Sequence, residues 1–217
     1  MKTPIEISVL ISTYMNDNPK HFDRALKSIW SDQIVKPSEI ILVIDGEIPP
    51  SLNQVIIKWK QKIGPKFKTL FQENNIGLAA SLNNGLKLCN GQYIARMDAD
   101  DISLPNRFKV QKEFLSCNPG IVDLGGVIQE FEDGRNTFYN KSFPLTTEEI
   151  LLSIPKGSPF AHPTVIIKKN ILSRFKYNEH LFLTKKNITF GNEDIDLWFR
   201  ILSQGYKEVD PPNWTVC

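Results

Sequence analysis

Ile40-Ile41-Leu42-Val43-Ile44 is the segment that most constrains the fold. An unbroken apolar run rich in β-branched residues and stopped by Asp45-Gly46 reads as a strand covered on both faces. Such strands belong to mostly parallel sheets flanked by helices, because a sheet with one wet face would alternate apolar and polar residues. Ile5 to Thr13 repeats the pattern, Lys66 to Phe71 is a shorter version, and Gln92 to Met97 is a fourth. Helical faces separate them. Phe22, Ala25, Leu26, Ile29 and Trp30 recur at the spacing of an amphipathic helix. Leu52, Val55, Ile56, Trp59 and Ile63 follow Pro49-Pro50, and Leu78, Leu82, Gly85 and Leu86 follow Asn74-Asn75-Ile76-Gly77. A further helix with Phe108, Gln111, Phe114 and Leu115 starts near Pro105. This alternation predicts an α/β, Rossmann-like architecture.

Beyond about Gly120 the pattern changes. Gly120 to Phe131 reads as a strand or a strand pair, and Asp133-Gly134 as a hairpin turn. Thr146 to Ile154 is expected to be a short helix and Pro163 to Ile167 a strand. The last helix runs from about Asn192, with Ile195, Trp198, Phe199 and Leu202 on one face. A chain of 217 residues suits one domain with an appended lobe.

Composition excludes some partners. The net charge is +2 and the basic residues are scattered, so there is no basic stripe for a nucleic acid. No run approaches the ~20 apolar residues of a membrane span. Cys89, Cys117 and Cys217 match neither a metal-ligand spacing nor a disulfide framework, which points to a reducing compartment.

Met97-Asp98-Ala99-Asp100-Asp101 carries the chemistry. Neighbouring carboxylates repel by roughly 4 kcal/mol per pair at about 4 Å and an effective dielectric of about 20. A solvated loop tolerates that, and so does a bound cation. Mg²⁺ and Mn²⁺ take carboxylate oxygens and complete their shells with substrate phosphates. An acidic loop at the carboxyl end of a strand therefore reads as a metal-diphosphate site. The alternative is an acidic turn ahead of a helix, capped by Asp101 or Ser103. Thr13-Tyr14 and Asp45 fall at equivalent strand ends, and this convergence favours the site.

Several pieces in this order resemble the inverting family 2 glycosyltransferases of the GT-A fold, bacterial surface-polysaccharide type. They are Ser8 to Tyr14, Glu39 to Gly46, Asn74 to Ala79 with Leu82-Asn83, Gly91 to Asp101, His162-Pro163-Thr164 and Glu193 to Trp198. The resemblance covers nearly the whole chain. It implies a nucleotide-sugar-binding half, residues 1–118, and a smaller acceptor-binding half, residues 119–217.

The resemblance also implies roles. Asp100 would ligate Mn²⁺ or Mg²⁺, with Asp98 near the ribose or the metal's water shell. Asp194 would be the general base, and Asp196, about 200° further round the helix, would lie outside the site. Glu193 and Asp194 also read simply as acids in a helix's first turn, with Asn192 as its cap. Thr13, Tyr14, Asp45, Asn75, Gly77, Arg96 and Ala99 would join Asp98 in binding the nucleotide sugar. Gly77 either lets backbone approach the nucleotide or merely opens a helix, and Arg96 faces either the diphosphate or nearby acids. His162 and Glu193 are candidates for acceptor or phosphate contact. The donor would be a UDP-sugar and the acceptor a glycan or lipid-linked sugar. The protein would be cytoplasmic, at the inner face of the membrane as a peripheral protein.

One position departs from the pattern. Many members carry two consecutive acids after the second strand, and here the pair is Ile44-Asp45. Either Asp45 takes over the base contact or base recognition is altered. That opens a rival reading, a catalytically silent module binding nucleotide sugar or glycan. A sugar-1-phosphate nucleotidyltransferase would need a glycine-rich basic loop where this chain has Thr13-Tyr14-Met15-Asn16-Asp17-Asn18. The absence of G-x-G-x-x-G after a strand argues against a Rossmann dehydrogenase.

Overall fold

The computed structural model describes residues 4–131, 138–141, 143–180, 193–209 and 215–216. Strand β1 (Ile7–Tyr14) is followed by helix α1 (Pro19–Trp30), β2 (Glu39–Asp45), α2 (Pro50–Ile63), β3 (Phe67–Gln72), α3 (Leu78–Leu86) and β4 (Tyr93–Met97). Next come α4 (Arg107–Cys117), β5 (Asp123–Leu124), β6 (Val127–Phe131), β7 (Phe138–Lys141) and α5 (Thr147–Ser153). The remainder is β8 (Ile166–Lys168), α6 (Lys169–Phe175), α7 (Glu193–Leu202), β9 (Glu208–Val209) and β10 (Thr215–Val216).

The main sheet has the order β3-β2-β1-β4-β8-β5-β9. Strands β1 to β4 are parallel, β2 is buried at every residue, and β1 lies between β2 and β4. The chain thus extends the sheet one way from β1 to β3, then returns to add β4 on the other side. That reversal leaves a crevice beyond the carboxyl ends of β1 and β4.

Side chains alternate across the sheet into two layers. Val9, Ile11, Ile40, Leu42 and Ile44 pack with Phe22, Ile29 and Trp59 of α1 and α2 and with Phe108 of α4. Leu10, Ile41 and Val43 face Leu82 of α3, and the same cluster runs on through Ile167, Leu172 and Trp198. Trp59 keeps its indole N–H satisfied, donating to Asp23 Oδ1 at 2.6 Å.

Several expectations change in detail. The strand expected from Pro163 begins at Ile166, because residues 162–164 form a 3₁₀ turn, and it runs antiparallel to both β4 and β5. The buried face of α7 is Leu197, Trp198, Ile201 and Leu202, while Phe199 is 55% exposed. Six of its ten residues are apolar and span a wide arc, so sequence spacing alone admits two faces. Strands β6 and β7 pair antiparallel, while Asp133-Gly134, Asn192 and Cys217 lie outside the described residues. Cys89 is buried, with its thiol pushed up to about 12 by burial, whereas Cys117 is exposed.

Candidate active site

A cavity of about 370 Å³ occupies the crevice. Its walls include Tyr14 from β1, Asp45 from β2, Asn75 and Gly77 ahead of α3, and Arg96, Asp98, Ala99 and Asp100 at and beyond the end of β4. The sequence thus anticipates most of its lining. Thr13 is the exception. It is buried, and its hydroxyl donates to Asp17 Oδ2 at 2.8 Å rather than lining the cavity.

Two glycines shape the loop ahead of α3 and its approach to the end of β2. Gly46 has φ +84°, and a Cβ there would stand 2.7 Å from the Asn75 amide nitrogen, so only glycine lets the end of β2 meet this loop. Gly77 also has positive φ, +87°, where it opens α3. Asp45 fastens the same loop. Its Oδ1 accepts from the Ile76 amide at 2.8 Å and its Oδ2 from the Gly77 amide at 3.0 Å. Ile44 bears on the departure noted above. Its side chain is fully buried in the layer facing α1 and α2, while Asp45 is the residue that lines the cavity.

The acidic loop rests on buried cations. Arg96 donates through Nη2 to Asp98 Oδ1 at 2.5 Å and through Nη1 to the Met97 carbonyl. Arg107, also buried, donates to the Arg96 carbonyl at 2.9 Å. Asp101 is pushed up to about 7, first by burial and then by Asp98 and Asp100. The capping alternative fails, because α4 starts only at Arg107 and the Ser103 hydroxyl accepts from Gln33 Nε2 at 3.2 Å. Asp17 was not anticipated. It lines the cavity, and burial, Asp100 and Asp98 all raise its pKa. A lone acid in a loop after a strand carries no sequence signal beyond its place near Thr13-Tyr14.

The donor set suits a divalent cation. Among the described residues no three His, Cys, Asp or Glu side chains form a metal-binding group. Asp98 and Asp100 both line the cavity, and a Mg²⁺-like ion commonly takes one or two carboxylates and fills its shell with water and phosphate.

The second half brings Glu193 and Asp194 to the first turn of α7. Ser158 Oγ donates to Asp194 Oδ2 at 2.8 Å. Glu193 is 8% exposed, and its carboxyl is raised by burial and then by Asp194. His162 Nδ1 is 4.0 Å from Glu193 Oε1, and its Nε2 is 3.0 Å from the Tyr177 hydroxyl. Burial and Arg96 lower His162 to about 4, against smaller opposing effects of Asp98 and Asp194. His162 also stands beside α7, edge-on to Trp198 with ring centroids 6.3 Å apart. Asp196 turns away to Arg200 Nε at 2.8 Å.

A mostly parallel sheet with an acidic crevice at the carboxyl ends of its strands is the GT-A architecture. The profile of Glycosyl transferase family 2 matches residues 8–182, and the chain belongs to that family. The amylovoran biosynthesis glycosyltransferase AmsE of Erwinia amylovora is 34% identical over 208 residues, 95% of this chain and 73% of that protein. The UDP-Gal:alpha-D-GlcNAc-diphosphoundecaprenol beta-1,3-galactosyltransferase of Escherichia coli is 34% identical over 203 residues, 92% of this chain and 69% of that one. Among solved structures, S. aureus TarS 1-349 in complex with UDP superposes with a TM-score of 0.72 at 20% identity, covering 98% of this chain and 59% of that chain. The mannosyltransferase PcManGT from Pyrobaculum calidifontis, in complex with GDP-Man and Mn²⁺, gives 0.70 at 15% identity, covering 99% and 56%. The chain therefore spans less than two thirds of either solved chain.

Proposed function

We propose that the protein is an inverting, divalent-metal-dependent glycosyltransferase. It moves a sugar from a UDP-sugar to a hydroxyl of a glycan or lipid-linked sugar, in polysaccharide or glycolipid synthesis. The observation that carries this reading is the cavity at the carboxyl ends of β1, β2 and β4, walled by Asp98 and Asp100. Residues 1–118 hold the donor and 119–217 receive the acceptor.

Tyr14, Asp45, Asn75, Gly77 and Ala99 bind the nucleoside and ribose, with Thr13 supporting them through Asp17. Asp100 with Asp98 holds Mn²⁺ or Mg²⁺, which when bound supplies Lewis-acid stabilisation of the departing diphosphate. Asp194 accepts the proton of the acceptor hydroxyl as its oxygen attacks the anomeric carbon. The bond from that carbon to the diphosphate oxygen breaks in the same displacement, and the nucleoside diphosphate leaves with the electron pair. Arg96 adds positive charge beside Asp98, and His162 with Glu193 borders the acceptor. No helix of the described residues is long and apolar enough to cross a membrane. A lipid-linked acceptor would bring the protein to the cytoplasmic membrane face as a peripheral partner.

Calorimetry with UDP, GDP, dTDP and CMP, in Mn²⁺ and again in EDTA, tests the donor site. Binding of UDP that vanishes on chelation is expected. Equal affinity in EDTA would overturn the metal assignment, and binding without any transfer to a lipid-diphosphate-linked GlcNAc acceptor or to water would favour a silent module.

A further inference from the structure

Tyr177 is 5% exposed and has no part in the displacement itself. Both of its main-chain groups pair with one side chain. Asn83 Nδ2 donates to the Tyr177 carbonyl at 2.9 Å, and the Tyr177 amide donates to Asn83 Oδ1 at 2.9 Å. Asn83 lies in α3, the helix that opens at Gly77 beside the donor cavity. The preceding residue, Lys176, has φ +53°, a left-handed conformation that a side chain disfavours. Helix α7 supports that turn: Arg200 donates to the carbonyls of Phe175 at 2.6 Å and Lys176 at 2.7 Å. The strained turn delivers Tyr177 into Asn83, and surrounding contacts must hold such a conformation in place.

The Tyr177 ring then reaches back to the site. Its hydroxyl is 3.0 Å from His162 Nε2, and His162 stands edge-on to Trp198 of α7 at 6.3 Å between ring centroids. Burial raises the Tyr177 hydroxyl and lowers His162, so both groups are neutral near pH 7. With Tyr177 donating to Nε2, the imidazole proton sits on Nδ1, which faces Glu193 Oε1 at 4.0 Å. At 4.0 Å this is an electrostatic contact, longer than a hydrogen bond.

We propose that Tyr177 and His162 are positioning residues that hold the first turn of α7, and with it Asp194, in register with the donor cavity through Asn83. The proposal rests on the reading of Asp194 as the base. It explains how a residue of the second half keeps its place over a site built by the first. Asn83 and Tyr177 form the strut, and His162 passes it to Glu193.

Tyr177→Phe removes one hydroxyl and keeps the ring. His162→Gln keeps an acceptor for that hydroxyl and removes the group facing Glu193. Both are compared with Asp194→Asn and the unmodified chain. Amide exchange of residues 193–198 is read by mass spectrometry, UDP affinity by calorimetry, and UDP release from UDP-galactose, UDP-glucose and UDP-GlcNAc by rate. Tyr177→Phe is expected to speed exchange in 193–198 severalfold and to lower kcat by roughly tenfold, the worth of one buried hydrogen bond. The UDP affinity should stay within about twofold. His162→Gln should act in the same direction. Unchanged exchange and unchanged kcat in both variants would overturn the proposal. So would faster exchange with wild-type kcat while Asp194→Asn is inactive. Full turnover by Asp194→Asn would instead defeat the base assignment, and the exchange measurement would still decide whether Tyr177 holds the turn.

Discussion

Arg96 Nη2 stands 2.5 Å from Asp98 Oδ1, so the first acid of the loop carries a counter-charge that is itself 3% exposed. A guanidinium can serve the Met97 carbonyl and the Asp98 carboxylate at once, which an ammonium on a flexible stem cannot do in the same geometry. Arg96→Lys should therefore loosen the loop. We expect UDP affinity in Mn²⁺ to fall by about fivefold or more, with a smaller loss for uridine, which has no diphosphate. Calorimetry with both ligands checks this, and equal losses would place the effect outside the diphosphate region.

Asp100 and Asp194 should separate binding from chemistry. Asp100→Ala is expected to cost about tenfold or more in metal-dependent UDP affinity. Asp194→Asn should leave that affinity within about twofold while transfer falls by at least roughly a hundredfold, the scale of a lost general base. Parallel titrations and single-turnover rates distinguish the two. Full transfer by the Asp194→Asn protein would reassign the proton acceptor.

The sequence was most informative where burial left one solution. Ile40 to Ile44 had to be an interior strand, and the five apolar positions of α1 had to face it, as all five do. The acids at 98 and 100 stood out because such crowding needs a reason. Strand direction was less legible: Ile166–Lys168 is too short and too apolar to reveal that it runs antiparallel between β4 and β5. Asp17 was missed because its importance comes from proximity to Asp98 and Asp100, and Tyr177 because it acts partly through main-chain bonds to Asn83. The absent acid at Ile44 left open whether Asp45 takes over the base contact or base recognition is altered; the Ile44 side chain faces the core, and Asp45 lines the cavity.

Gly46→Ala should be costly although it adds one methyl. The backbone at φ +84° disfavours any Cβ by roughly 1–2 kcal/mol, and the new atom would lie 2.7 Å from the Asn75 nitrogen. We expect a loss of at least about 2 kcal/mol, or roughly 4–8 °C in Tm for a chain of this size. UDP affinity should fall as well, because the displaced Asn75 lines the cavity. A melting curve within about a degree of the unmodified protein would show that the loop moves freely.

His162 predicts a pH dependence of stability. Its side chain is 11% exposed, and burial holds it at about 4 against an ordinary 6.5. Below pH 6.5 the unfolded chain therefore takes up a proton that the folded chain refuses, and stability drains away as pH falls from about 6.5 towards about 4. Asp101 acts in the opposite sense over part of this range, since its raised carboxyl binds a proton better when folded. Comparison with His162→Gln cancels the Asp101 contribution, which both proteins share. The unmodified protein should lose up to roughly 3 kcal/mol more than the variant between pH 7 and pH 4. Urea unfolding of the pair at pH 7, 6, 5 and 4 measures the difference, and parallel curves at every pH would mean that His162 is protonated in the folded protein as readily as in the unfolded chain.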